Sequence, residues 1–255
     1  MNIGDRWALV LAGGKGTRLS AAIADRPKLL APVGGRPFLA LLVAMLARQG
    51  LPRLAFLLGF RANQIVPALE VIQGVQVQWS IEPEPLGTAG AVKRAQRFCT
   101  EDFFLVNGDT YLDFDAANLL AQQMRTDAAV TIAATRAQDA GRFGILDVDP
   151  DGRVREFREK VSEPVSGLIN AGVYVIAPRV LDSIPSDRAV SLEREIFPLL
   201  LASGERLIAV EQQGAFFDIG TEASWRAFAR FCADNERLHA NPAPASSGDR
   251  RGTSE

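Results

Sequence analysis

The sequence predicts an α/β fold, a mixed and mostly parallel sheet flanked by helices, with a small β lobe. Three observations carry that prediction. Apolar runs of strand length alternate with helical stretches through the first half of the chain, an order that produces a parallel sheet covered on both faces. The first apolar run breaks into a glycine-rich turn, as strands do where they face a ligand. In the second half strands follow one another around a hairpin turn, so the alternation stops there.

In order, Trp7 to Leu11 is a short apolar run and reads as a buried strand. Ala31 to Pro37 is irregular. Phe38 to Gln49 is a nearly continuous apolar helix, closed by Gly50. Leu54 to Leu58 is a second buried strand, and Ala62 to Glu70 a helix weakened by Pro67. Val75 to Ile81 alternates apolar and polar residues, the pattern of a half-buried strand. Thr88 can cap the helix that follows, up to about Phe98. Phe103 to Val106 is a further buried strand. Later strands are expected at Ala128–Thr135, Gly144–Val148, Val154–Phe157, Leu168–Ile176, Leu207–Val210 and Phe216–Asp218. Asp149-Pro150-Asp151-Gly152 supplies the hairpin turn. Helices are expected at Pro178–Ser183, at Leu192–Ser203 and from Glu222 to about Leu238. The segment from Ala240 is small, polar and proline-rich and is expected to be disordered. A single domain over 1–239 is expected, with one half over about 1–125 and the other over about 126–239, followed by the tail 240–255.

Composition narrows the function. A chain of 255 residues can bury a full core without staples. Its 28 basic and 30 acidic residues leave a net charge of −2, without the basic bias of a nucleic-acid binder. Cys99 and Cys232 stand far apart and are expected as buried reduced thiols. The one histidine, His239, excludes histidine-rich metal sites and disfavours a Ser-His-Asp triad. No run of about 18 apolar residues occurs, so a cytoplasmic location without a membrane partner is expected.

The glycine turn is the first candidate site. Leu11-Ala12-Gly13-Gly14-Lys15-Gly16-Thr17-Arg18 combines a strand end, three glycines and a guanidinium. Free N–H groups in such a turn cradle anions, and Arg18 can grip a phosphate with two parallel hydrogen bonds. It is neither a Walker A loop nor a complete G-x-G-x-x-G fingerprint. Asn107-Gly108-Asp109 ends an apolar strand; alone it is ordinary turn chemistry. Asp218 ends another apolar stretch, beside Gly220. Two carboxylates converging on a nucleotide form a hard-oxygen site suited to Mg²⁺.

Gly13-Gly14-x-Gly16-Thr17-Arg18-Leu19, with Pro27-Lys28 ending ten residues after Arg18, resembles the signature of the sugar-1-phosphate nucleotidyltransferases. Many members have Pro-Leu-Thr where this chain has Ala21-Ala22-Ile23. The short D-glycero-D-manno-heptose-1-phosphate guanylyltransferases also lack that triplet, so the likeness points toward them. The resemblance implies a Rossmann-like domain of the nucleotide-diphosphosugar transferase type. It implies that Arg18, Lys28 and Asp109 are catalytic, and that Asp109 and Asp218 hold Mg²⁺. Lys160 would grip the phosphate of the sugar, with Gly144, Glu159, Asn170 and Gly172 around the sugar itself. Leu11, Ala12, Gly13, Gly14, Gly16, Thr17 and Gly108 would meet the nucleotide. Glu82-Pro83-Glu84-Pro85-Leu86-Gly87-Thr88 is similar to the base loop of guanylyltransferases, where a carboxylate can accept from N1–H and N2–H of guanine. The implied substrates are GTP and a sugar 1-phosphate, first D-glycero-α-D-manno-heptose 1-phosphate, then mannose 1-phosphate, then an amino-sugar or muramic-type phosphate with UTP. A silent nucleotide-sugar sensor is the alternative of another class, and the chain is expected as a monomer or homodimer. No hexapeptide repeat follows, so no attached acyltransferase activity is expected.

Overall fold

The computed structural model describes residues 2–14, 26–159, 166–186 and 188–235, without the side chains of Arg142 and Glu159. Arg18, Gly16, Thr17, Lys160, His239 and the tail therefore lie outside the described residues. The elements in chain order are β1 (Trp7–Ala12), β2 (Pro32–Val33), β3 (Arg36–Pro37), α1 (Phe38–Arg48), β4 (Arg53–Leu58), α2 (Ala62–Glu70), β5 (Gln76–Ile81), α3 (Gly87–Arg94), β6 (Phe103–Asn107), β7 (Thr110–Leu112), α4 (Ala116–Thr126), β8 (Val130–Ala137), β9 (Gly144–Val148), β10 (Val154–Glu159), β11 (Gly167–Ile176), α5 (Phe197–Ala202), β12 (Leu207–Glu211), β13 (Phe216–Asp218) and α6 (Glu222–Asp234).

Nine strands form one mixed sheet. Along it run β10, β9, β11, β6, β1, β4 and β5, with β8 also on β11 and β12 on β8. β1 lies parallel between β4 and β6, and β5 continues parallel beyond β4. β11 is antiparallel to both β6 and β8, which ends the parallel half. The β9–β10 hairpin joins through the single pair Ile169↔Ile145 and has a small core of its own, Ala140, Ile145 and Ile169. Gly152 turns it with φ +78°, as the Asp-Gly pair requires.

Strand burial follows the apolar runs. Ala8 and Val10 face one core with α1 and α6, while Leu9 faces the other with α3. A strand buried on both faces reads as a continuous apolar run and not as an alternation. β5 is half-buried as its alternation implies: Val75, Val77 and Trp79 pack against the core from alternate positions, and as the sheet edge it holds no fully buried residue. α1 ends as its sequence implies: Gly50 takes φ +78° and Leu51 N–H donates back to Leu46 O at 3.1 Å.

Three local features depart from the expectations. Thr88 is not a helix cap; α3 already begins at Gly87, which turns the chain with φ +72°, and no side chain caps it. Leu192–Ile196 is a π-type turn ahead of α5, with Ile196 N–H donating to Ser191 O at 3.2 Å. Pro198 has no N–H to close the ordinary ladder there. Thr110–Leu112, for which no element is expected from the sequence, is a strand, paired antiparallel with β13 as a separate two-stranded ribbon. Tyr111 and Phe217, at the centres of those strands, pack on Phe228 of α6 with ring centroids 4.9 and 5.2 Å apart.

Both cysteines are buried and neither is in a disulfide, as expected. Burial pushes the Cys99 thiol up to about 12 and Cys232 up to about 11. Neither should react with a thiol reagent at pH 8 until the chain unfolds; absorbance during titration with Ellman's reagent, with and without denaturant, checks this. Among the described residues no helix is long and apolar enough to cross a membrane.

Candidate functional site

The chain order sets where a ligand can enter. From β1 it passes to β4 and β5 on one side, then crosses to β6 on the other side of β1. Loops leaving β1 and β6 therefore diverge, and a crevice opens at their carboxyl ends, the usual ligand position in such sheets. A cavity of 810 Å³ lies there. Its floor is formed by 11–14 and 107–109, and one wall by the loop 82–88, of which all but Leu86 face the cavity.

At the floor Lys28 Nζ lies 2.7 Å from Asp109 Oδ2. Pro27 holds extended backbone before a single tight turn, Lys28–Leu30, so the ammonium is set at the start of that turn. The lysine side chain is 16 % exposed and the carboxylate 39 %, so the cation is largely enclosed while its partner still faces the opening. Asp109 follows Gly108, whose N–H donates to Leu11 O at 2.9 Å. A side chain at Gly108 would strike that same carbonyl, so glycine is what lets the ends of β1 and β6 touch.

Asp218 comes from a different direction. It stands opposite Thr110 in the β7–β13 ribbon, and Ile219 N–H donates to Asp109 O at 2.9 Å. The two aspartates are thus on neighbouring strands, but only Asp109 faces the cavity. Asp218 Oδ1 accepts from Gly220 N–H at 2.8 Å. Among the described residues no group of three or more acids, histidines or cysteines gathers. Of the two aspartates the crevice offers the hard-oxygen donor Asp109 alone, and Mg²⁺ commonly takes one or two carboxylates and completes its shell with phosphate oxygens and water.

Glu82 ties loops together. Its Oε1 lies 2.5 Å from where a Cβ on either Gly13 or Gly59 would sit, and its Oε2 accepts from Leu86 N–H at 3.1 Å. Burial raises its pKa above the ordinary carboxylate value, opposed by the Leu86 amide and by Arg94. Leu86 therefore acts from behind the wall through its backbone. The same loop is stitched to 190–192: Val190 N–H donates to Leu86 O at 2.8 Å, Ala89 N–H to Val190 O at 3.0 Å, and Leu192 N–H to Thr88 Oγ1 at 2.8 Å.

Of the remaining expected residues, Gly144, Asn170 and Gly172 cluster beside the cavity without lining it. A Cβ on Gly144 would meet the Phe157 ring at 2.7 Å and Asn170 Cβ at 3.7 Å. A Cβ on Gly172, which has φ +72°, would meet Asn107 Nδ2 at 2.6 Å, and Asn107 does face the cavity. Further lining residues were not legible beforehand: Leu29, Gly59, Phe60, Ile65, Ala91 and Glu193. Phe60 carried one faint signal, an aromatic directly after Gly59 at a strand end.

The chain matches the nucleotidyl transferase family over residues 7–235. It is 37 % identical over 247 residues to a mannose-1-phosphate guanylyltransferase of Mycobacterium tuberculosis, covering 95 % of this chain and 68 % of that protein. To a D-glycero-alpha-D-manno-heptose 1-phosphate guanylyltransferase of Campylobacter jejuni it is 32 % identical over 187 residues, 73 % of this chain and 82 % of the other. The crystal structure of HddC from Yersinia pseudotuberculosis complexed with GMP-PN superposes with a TM-score of 0.79 at 30 % identity, covering 89 % of this chain and 99 % of HddC. With a crevice at the switch point of its sheet and a family match over nearly all of the described residues, the chain belongs to the nucleotidyl transferase family of enzymes.

Proposed function

We propose that this enzyme transfers the guanylyl group of GTP to a manno-configured sugar 1-phosphate, giving a GDP-sugar and pyrophosphate. The observation that carries this is the Lys28–Asp109 pair on the floor of a cavity whose wall is the 82–88 loop. An oxygen of the sugar phosphate attacks the α-phosphorus of GTP in line. The bond from that phosphorus to the bridging oxygen breaks, and the electron pair leaves with pyrophosphate. Positioning and charge neutralisation dominate such transfers, so no covalent enzyme intermediate is required. Lys28 balances charge at the α-phosphate, and Arg18 binds the β- and γ-phosphates. Lys160 holds the sugar phosphate, with Asn170, Gly172, Gly144 and Glu159 on the sugar side. Mg²⁺ at Asp109 and Asp218 supplies further charge neutralisation when bound.

The heptose 1-phosphate is the first choice of acceptor. Support comes from the 32 % identity to the C. jejuni D-glycero-alpha-D-manno-heptose 1-phosphate guanylyltransferase, 82 % of whose length this chain covers. Mannose 1-phosphate is the second, favoured by the 37 % identity to the M. tuberculosis enzyme over 95 % of this chain. The two differ in what they attach to the hexose ring and not in the reacting phosphate.

A panel of GTP, ATP, UTP and dTTP against both sugar 1-phosphates, with Mg²⁺ and a pyrophosphate-release readout, tests the reaction. The highest kcat/KM is expected with GTP; equal rates with all four nucleotides would remove the guanine assignment. Lys28→Ala is expected to lower kcat/KM by roughly 10²–10³-fold, the range for removing one charge-stabilising donor. Glu82→Gln should loosen the loop it ties and reduce the preference for GTP over UTP by about tenfold, since one charge-assisted bond is lost.

A further inference from the structure

Glu193 lines the cavity from the π-type turn ahead of α5, far in sequence from every other lining residue. Its half-buried carboxylate gathers three hydroxyl donors. Thr88 Oγ1 donates to Oε2 at 2.9 Å, Ser191 Oγ to the same oxygen at 3.1 Å, and the Tyr174 hydroxyl to Oε1 at 3.4 Å. Tyr174 is fully buried, and its hydroxyl accepts in turn from Asn170 Nδ2 at 2.7 Å. Asn170 Oδ1 accepts from Gly172 N–H at 3.0 Å. That last bond closes the irregularity in β11, where the register to β8 shifts between Asn170 and Val173. Gly172 then presses on Asn107, which is back at the cavity. A continuous line of hydrogen bonds therefore joins the 82–88 loop on one wall to the bulged strand beside the other.

The direction of donation matters. Thr88 receives the Leu192 N–H, so its own proton is left to give to Glu193. Tyr174 receives the Asn170 amide, so its proton too is left to give to Glu193. Both ends point donors at the same residue, and only a group with two acceptor oxygens satisfies both. A glutamine offers one acceptor and one NH₂, so one of the two hydroxyl protons loses its partner in a buried setting, a costly outcome.

We propose that Glu193 is a positioning residue that couples the base loop at Thr88 to the Asn170 strand, so that the nucleotide and sugar 1-phosphate sites are held in register through its carboxylate. Its substrates are those of the guanylyl transfer proposed above, on which this inference rests.

The experiment compares wild type with Glu193→Gln, Thr88→Val and Tyr174→Phe. KM for GTP and for the sugar 1-phosphate are measured separately, and backbone hydrogen exchange is followed over 86–92 and 170–174. Glu193→Gln is expected to raise both KM values by about tenfold, the scale of one buried hydrogen bond lost. Thr88→Val should raise mainly the GTP value and Tyr174→Phe mainly the sugar phosphate value. Exchange should quicken in both segments together in Glu193→Gln. A residue that merely stabilised its own turn would lower the melting temperature and quicken exchange only around 188–197. A rise in one KM alone, or exchange confined to 188–197, overturns the coupling. If Glu193→Gln does not fold, Thr88→Val and Tyr174→Phe are combined: effects on exchange that are non-additive support the link, and additive effects overturn it. If wild type turns over no sugar 1-phosphate, the transfer reading fails by itself, and the exchange data still decide the coupling.

Discussion

Asp109→Asn is expected to leave a folded protein with turnover reduced by at least about 10²–10³-fold, on the scale of losing one preorganised electrostatic contact in an active site. The substitution keeps the size of the side chain and an oxygen for Lys28 Nζ to donate to, 2.7 Å away in the parent. What disappears is the charge. Lys28 is left as a largely enclosed ammonium without the ion-pair partner it has among the described residues, and a divalent ion bound there would lose the one aspartate that faces the cavity. GTP carries its own negative charge and can replace part of what Lys28 loses, so nucleotide binding should fall less than kcat. Pyrophosphate release at saturating GTP, beside circular dichroism and a melting curve, separates the two effects. Full activity in a folded Asp109→Asn would remove the metal assignment and the catalytic role together.

Gly87→Ala is expected to damage both stability and GTP binding. Gly87 has φ +72°, a conformation costing an L-residue roughly 1–2 kcal/mol. A Cβ there would also lie 2.8 Å from the carbonyl carbon of Val190, with the oxygen nearer still. That contact is backbone and has no rotamer through which to escape. Relief requires moving 86–89 away from 190–192 and breaking the bonds Ala89 N–H makes to Val190 O and Val190 N–H makes to Leu86 O. A cost of about 2–4 kcal/mol follows from strain plus lost packing, near the top of the common range for single substitutions. At about 2–4 °C per kcal/mol for a chain of this size, the melting temperature should fall by roughly 4–16 °C. The KM for GTP should rise along with it, because the displaced residues form the cavity wall. An unchanged melting temperature would mean that the 190–192 segment yields freely.

Much of this architecture is legible in local sequence because the responsible forces are local. The apolar run Trp7–Leu11 followed by glycines marks a central strand and its open end, since burial on both faces leaves no alternation to find. Gly50 and Asp149–Gly152 mark a helix end and a hairpin through the backbone angles that glycine tolerates. Lys28 and Asp109 were legible only as members of a pattern, and the fold then brings them within hydrogen-bond distance across 81 positions. Asp218 was legible locally as a carboxylate at a strand end, and its adjacency to Asp109 only through the family pattern. That adjacency comes from two three-residue strands, too short for any periodicity to register. Thr88 was misread because an N-cap hydroxyl and a tertiary hydroxyl look alike in sequence; Gly87 moves the start of the helix and frees the hydroxyl for Glu193. Glu193 itself sits among Ser191, Arg194 and Glu195, where acids at a helix start are expected for reasons of dipole alone. Nothing local tells which of the two glutamates turns inward.

The β7–β13 ribbon bears on how the molecule can be shortened. Its central aromatics rest on Phe228, midway along the last described helix, and Phe217 also meets Phe231 with centroids 4.9 Å apart. Engineers trimming this enzyme for fusion or crystallisation thus have a hard stop: a cut that removes Phe228 and Phe231 would spare every described residue lining the crevice yet unmoor the strand that ends in Asp218 and hydrogen-bonds behind Asp109.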